Sequence, residues 1–292
     1  MDNFNTFYHG FAAHFSVYAD DFIDSYNASS EIKTMLRYAL IEHQGKYFRP
    51  LLVHLVGSHY SLDQKHILAL ALSIEAIHTY SLIHDDLPSI DNASMRRGVS
   101  SCWLHFGEAN AILLGDGLQT LAFEILSNIS LESRIIVDLV RLFSKNIGFY
   151  GMVLGQFMDL NPQKRQSFHF NERYHVQEEL VWLKTGSLLN LCIQASLICS
   201  NAPSHHFQDW ENFARNLGLL FQYRDDYLDH FGNEAMLGKP THQDLRKKTL
   251  LDDSYCLCLD TICNEMQKHL RDYGCLNSLF KGMMGWIMER EA

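Results

Sequence analysis

Helical periodicity runs through almost all of this 292-residue chain and leaves little room for a sheet. Phe4, Phe7, Phe11 and Phe15 recur at three- and four-residue spacing, which puts them on one face of a first helix. A second helix is expected from about Glu31 to Gly45, and no run of β-branched alternation asks for a strand. Only five prolines interrupt the chain. One of them, Pro88, follows an apolar run inside SLIHDDLPSIDNASMRRG, Ser81 to Gly98. Its ring disfavours α geometry at Leu87 and removes a backbone donor, so the helix must stop there. Asp85 and Asp86 then occupy the last turn, with Ile67, Ala71, Ile74, His78 and Ser81 on the stripe behind Asp85.

Two carboxylates at a helix C-terminus face the negative end of the macrodipole and each other, which costs stability unless a cation is near. Arg96 and Arg97 could supply it, but a second acidic group points elsewhere. FQYRDDYLD, Phe221 to Asp229, sets Gln222, Asp225 and Asp229 at i, i+3 and i+7 on one helix face. Two Asp-rich segments far apart in sequence suit hard divalent cations. Mg2+ binds through one or two carboxylates, keeps waters and is completed by substrate phosphates, so such segments facing a cavity would make a diphosphate site. Taken singly, each run reads better as a solvated helix face.

Composition narrows the partners. Hydrophobic residues make up 47%, enough for a sizeable core, and a formal charge of −10 argues against nucleic acid. An anionic substrate must then be met by local cations. The seven cysteines are odd in number and include no C-x-x-C pair, which reads as free thiols in a reducing compartment. The N-terminus has no basic region ahead of an apolar run, so no secretory signal is expected. The most apolar segments, Ile67 to Ile77 and Ser187 to Cys199, are broken by Glu75 or by Asn190 and Gln194, short of the roughly 20 apolar residues of a membrane span. They read as buried helices. No repeat and no Gly-, Ser- or Pro-rich linker marks a boundary, so residues 1–292 read as a single all-α domain with carboxylates facing a central cavity.

Other segments carry candidates of lower individual weight. GKYFRP places Lys46 and Arg49 at i, i+3, a spacing that is usually a solvated face. In FGEANAILLGDGLQTLAFEIL, Phe106 to Leu126, small residues alternate with large ones, and Asp116 reads as a buried polar anchor rather than a catalyst. GMVLGQFMDL puts Gln156 and Asp159 at i, i+3, where Gly151 and Gly155 allow a close helix neighbour. Lys184, in the KTG of a long helix from Glu178 to Cys199, has apolar surroundings in which it can snorkel. The polar stretch from Gly232 to Thr249 reads as a loop.

In their order and spacing these segments resemble the trans-isoprenyl diphosphate synthases, of the bacterial farnesyl diphosphate synthase type. The resemblance runs from about Gln44 to Thr249 and rests on GKYFRP, EAIHTYSLIHDDLPSIDNASMRRG, FGEANAILLGDGL, GMVLGQFMDL, KTG, FQYRDDYLDHFGN and LGKPTHQD. It implies a cytoplasmic, homodimeric all-α bundle that condenses isopentenyl diphosphate with dimethylallyl and geranyl diphosphate to farnesyl diphosphate. It implies three Mg2+ ions on Asp85, Asp91 and Asp225, with Asp86, Asp226 and Asp229 in support. Arg96, Lys184 and Lys239 would hold the allylic diphosphate, and Thr185 and Gln222 would steady the developing cation. Gly45, Lys46, Arg49, His78 and Arg97 would hold isopentenyl diphosphate. His78 and Asp85 share a helix face about 10 Å apart, which suits two neighbouring diphosphate pockets. Tyr80, five residues before Asp85, would floor the cavity and stop growth at C15.

Departures from the family pattern are Asn92, Ala93 and Ser94 in place of further acids, Tyr47 in place of a second basic residue, Trp103 for a common His and His242 for a glycine. DLRKKT is also shorter than usual. A geranylgeranyl diphosphate synthase shares every motif, and only Tyr80 speaks against it. A class I terpene cyclase would carry an Asn-Ser-Glu type second metal site instead of DDYLD. A non-catalytic subunit of a heteromeric synthase would normally have lost acids or basic groups that are present here.

Overall fold

The computed structural model describes residues 2–42, 45–167, 176–231, 253–275 and 277–289. Their order is α1 (Asp2–Ser25), α2 (Ser30–Arg37), a π-helical turn (Tyr38–Glu42), α3 (Phe48–His59), α4 (Gln64–Asp85), β1 (Met95–Arg96), β2 (Val99–Ser100), α5 (Cys102–Phe106), α6 (Glu108–Ser127), α7 (Ser133–Ile147) and α8 (Met152–Leu160). A 3-10 segment (Pro162–Ser167), α9 (Val176–Val181), a second π-helical turn (Trp182–Gly186), α10 (Ser187–Cys199), α11 (His206–Phe231) and two final helices, Asp253–Asp272 and Ser278–Glu289, follow. Contacts divide the chain into two compact units. The first is Phe7–Ile147 with Leu191–Ala202, and the second is Met1–Thr6 with Gly148–Asn190 and Pro203–Ala292.

The first unit is built on α4. Every residue from Leu70 to Tyr80 is buried, so this helix is covered all round rather than along one stripe. α6 runs along it, with Ser73 Oγ donating to the Ala122 carbonyl at 2.8 Å, and α3 packs against another side. Leu51, Leu52, Ile67, Leu70 and Ile74 are wholly enclosed, each stabilising the fold by about 2 kcal/mol. Two helical stretches, Gln64–Asp85 and Glu178–Cys199, are long and apolar enough to cross a membrane, yet 78% of each apolar window is buried inside the protein. That is the burial of a core helix.

Local chemistry sets the ends of α4. The Asp63 carboxylate accepts from the Lys65 backbone N–H at 3.0 Å and caps the first turn. Asp85 is the last helical residue and Asp86 the C-cap, two positions before Pro88. A hairpin comes next where no strand was expected. Arg97 and Gly98 form its turn with φ of 53° and 82°, the left-handed pair that matches the twist of antiparallel strands. Strands of two residues are too short to show alternation.

The two π-helical turns also depart from the sequence reading. Helix α2 runs into the π turn Tyr38–Glu42, and the helix expected from Glu178 to Cys199 contains the π turn Trp182–Gly186. Asp116 is a further correction. Its side chain is 62% exposed, so it is no buried anchor. Among the described residues five cysteines are unbonded, of which Cys102, Cys192, Cys199 and Cys275 are buried.

Trp210, Phe213 and Phe280 are fully buried in the second unit. The His269 ring lies 4.6 Å from Trp210 and 4.7 Å from Tyr273, and burial pulls its pKa from 6.5 down to about 4 despite the opposing pull of Asp209 and Asp272. A depressed folded pKa means that the unfolded chain takes up the proton first as pH falls. Stability that is full above 6.5 should therefore decline towards pH 4. His269→Gln should flatten that decline in urea midpoints measured at pH 7.5, 6 and 5, and an unaltered slope would count against His269 as its source.

Candidate functional site

The acid end of α4 is shaped by its own backbone. After Pro88 the chain turns back, so that the Asp91 N–H donates to the Asp85 carbonyl at 2.9 Å and the Ala93 N–H to the Asp86 carbonyl at 3.1 Å. Trp103 fastens the same loop, its indole N–H donating to the Ala93 carbonyl at 2.8 Å. The cation required beside the two aspartates is Arg96. Its Nε lies 3.0 and 3.1 Å from the two Asp86 oxygens and its Nη2 also donates to Oδ1, a forked pair with side-chain exposures of 16% for Arg96 and 3% for Asp86. Asp86 is thus enclosed, whereas Asp85 is half-buried and Asp91 exposed.

One face of α4 further back carries a second cluster. His78 Nε2 accepts from Arg49 Nη1 at 3.0 Å and lies 3.4 Å from Arg97 Nη2. A guanidinium can only donate, so the imidazole proton sits on Nδ1. Burial, then the Arg49, Arg97 and Arg96 charges, hold the His78 pKa well below 6.5, and the ring is a neutral acceptor that sets two arginines. Gly45 belongs to the same construction: a Cβ there would overlap the Arg97 guanidinium. Lys46 is exposed beside it. The Lys46 and Arg49 pair is therefore not a plain solvated face.

Sequence reasoning missed Glu75. It treated this residue only as an interruption of an apolar run, yet the carboxyl is 3% exposed, one turn before His78. Burial raises its pKa against the opposing pull of Arg97 and Arg49, so this acid lies within the field of the arginine cluster. A lone acid inside an apolar stretch, three residues before a histidine, was the available signal.

In the second unit the π turn Trp182–Gly186 carries Lys184 and Thr185, both half-buried. Lys184 does not simply snorkel. Its Nζ donates to Asp159 Oδ2 at 2.6 Å, while Arg165 Nη2 lies 3.3 Å from Asp159 Oδ1. Asp159 therefore orients a basic group. Gly155 makes the approach possible, since a Cβ there would stand 2.6 Å from the Lys184 backbone nitrogen. Gln222 is half-buried and Asp225 exposed, one turn apart on α11. Lys239, His242 and the DLRKKT segment lie outside the described residues, as do the side chains of Asp226 and Asp229.

Among the described residues no three His, Cys, Asp or Glu side chains converge into a ready-made cage. Asp85, half-buried, and Asp91, exposed, offer the one or two carboxylates that Mg2+ takes when diphosphate oxygens complete its shell. Tyr80 is buried, with its ring edge-on to His84 at 5.8 Å.

Residues 29–269 match the family model described as polyprenyl synthetase. A farnesyl diphosphate synthase of Haemophilus influenzae is 40% identical over 233 residues, 76% of this chain and 74% of that protein. Among solved structures, a geranyltransferase from Legionella pneumophila aligns with a TM-score of 0.85 at 29% identity, covering 99% of this chain and 98% of that one. A geranyltransferase from Helicobacter pylori, complexed with magnesium and isoprenyl diphosphate, aligns with a TM-score of 0.77 at 29% identity over 98% and 97% of the two chains. With its all-α fold and its motifs in family order, the chain belongs to the polyprenyl synthetase family.

Proposed function

We propose that this chain is a cytoplasmic prenyltransferase that condenses isopentenyl diphosphate with dimethylallyl and then geranyl diphosphate to give farnesyl diphosphate. One observation carries the reading. A single buried helix, α4, bears an aspartate pair at its end and, two turns back, a histidine holding two arginines. The first suits a metal-bound diphosphate and the second a diphosphate met directly by cations. A single polyprenyl synthetase domain over residues 1–292, paired as a homodimer, is part of the proposal. Exposed Ile112 and Leu113 on α6, with Val137 and Val140 on α7, support the pairing.

In this reading Arg96, Lys184 and Lys239 donate to the allylic diphosphate, and Lys46, Arg49 and Arg97 to isopentenyl diphosphate. Asp85, Asp91 and Asp225, supported by Asp86, Asp226 and Asp229, would hold three Mg2+ ions, which supply charge neutralisation for the departing diphosphate. The allylic C–O bond breaks, the double bond of isopentenyl diphosphate attacks the allylic carbon, and the proton lost passes to the released pyrophosphate. Thr185 and Gln222 turn oxygens towards the cationic carbon. Asp86, already enclosed against Arg96, serves chiefly to aim that guanidinium. Apolar walls keep water from quenching the cation.

Tyr80 lies five residues, about 7.5 Å of helix, behind Asp85, where a ring would stop a growing chain. Purified protein given isopentenyl diphosphate, Mg2+ and dimethylallyl, geranyl or farnesyl diphosphate should yield C15 from the two shorter primers by mass spectrometry. Tyr80→Ala should extend the product to C20 or beyond, and a C15 product from that variant would discard the floor. A C20 product from the wild type favours the geranylgeranyl reading. No condensation with any primer favours a non-catalytic subunit.

A further inference from the structure

The loop carrying Lys46 and Arg49 is fastened at two backbone carbonyls by two buried tyrosines. Tyr8 of α1, 8% exposed, donates its hydroxyl to the Lys46 carbonyl at 2.6 Å. Tyr47, 3% exposed, donates to the Leu40 carbonyl at 2.9 Å, inside the π turn Tyr38–Glu42. Burial pushes both phenols up to about 12, so each remains a donor at any working pH.

Tyr47 also holds a left-handed backbone, with φ at 39°, as the N-cap of α3. A non-glycine residue keeps that conformation only where its surroundings impose it. Here the Tyr47 ring stands edge-on to Phe15 of α1 at 5.0 Å. The kink separates Lys46 from the first turn of α3, in which Arg49 lies. The heading of both cations is thus set by a strained residue whose ring and whose neighbouring carbonyl are both gripped by α1. Tyr47 occupies the position where the family pattern has a second basic residue, and in this chain that position points into the core.

We propose that Tyr8 and Tyr47 are positioning residues for isopentenyl diphosphate, and that α1, all of which precedes the matched residues 29–269, presets the Lys46–Arg49 segment for that substrate's diphosphate. The inference rests on reading Lys46 and Arg49 as diphosphate ligands. Neither tyrosine is given contact with substrate. A rigid loop has less freedom to lose on binding, so the effect should fall on the affinity for one substrate.

Steady-state kinetics of Tyr8→Phe and Tyr47→Phe, with each substrate varied in turn, test the proposal alongside Lys46→Ala and urea midpoints for every variant. Losing one hydroxyl should raise KM for isopentenyl diphosphate about fivefold, the net worth of one hydrogen bond. The KM for geranyl diphosphate and kcat should stay within about twofold. Unchanged KM for isopentenyl diphosphate in both variants overturns the proposal, as does a joint shift of both KM values, kcat and the urea midpoint, which would mark a scaffold role. If Lys46→Ala leaves KM for isopentenyl diphosphate unaltered, or the wild type neither binds nor consumes it, the ligand reading falls and takes this proposal with it. A response to Lys46→Ala without one to the tyrosines removes this proposal alone.

Discussion

Arg96→Ala is expected to cost about 3–5 kcal/mol of folding stability, far more than an ordinary surface arginine. The reason is the state in which it leaves Asp86. That carboxylate is 3% exposed, at the C-terminus of α4, where the helix dipole already disfavours negative charge. With Arg96 present the pair is forked; without it a charge is buried with its hydrogen bonds broken. Domain stabilities of about 5–15 kcal/mol leave little margin for such a loss. A urea titration should show a much lower midpoint with an unchanged slope. Replacing both partners, Asp86→Leu with Arg96→Met, should recover most of the loss, because no buried charge then remains. A single variant with the wild-type midpoint would mean that the pair contributes nothing.

Asp85→Asn is expected to act on turnover instead. The side chain is half-buried and isosteric with asparagine, so the fold should tolerate the change. Loss of one preorganised charge at the reacting diphosphate should lower kcat about 1000-fold and raise the Mg2+ concentration needed for half-maximal rate. Asp225→Asn on α11 should behave alike, and the pair should be less than additive if both serve one metal-bound diphosphate. Turnover within about tenfold of wild type in Asp85→Asn would remove this residue from the ligand set.

How much of this was legible depended on how far apart the partners lie along the chain. The end of α4 could be read because Pro88 is local punctuation, and the need for a cation beside Asp85 and Asp86 followed from charge alone. That Arg96 pairs with Asp86 required the hairpin, whose strands are too short to leave a pattern. The link between Glu75 and the arginine cluster was invisible because those arginines come from positions 49 and 97, on two other segments. Asp159 could be placed on a helix face by its spacing, but its partner Lys184 lies 25 residues further on. Asp116 failed for a different reason. Flanking glycines show that a helix can be approached closely, not which side is approached.

The π-helical turn at Trp182–Gly186 has a consequence for how this stretch can change over time. Such a turn holds one residue more than an α turn, and each residue advances a helix by about 100°. Deleting one residue here would close the π turn to an α turn and leave Ser187–Cys199 facing as before, while the residues of the turn itself, Lys184 and Thr185 among them, would change heading. The extra residue thus serves the turn that presents Lys184 and Thr185, not the helix beyond it.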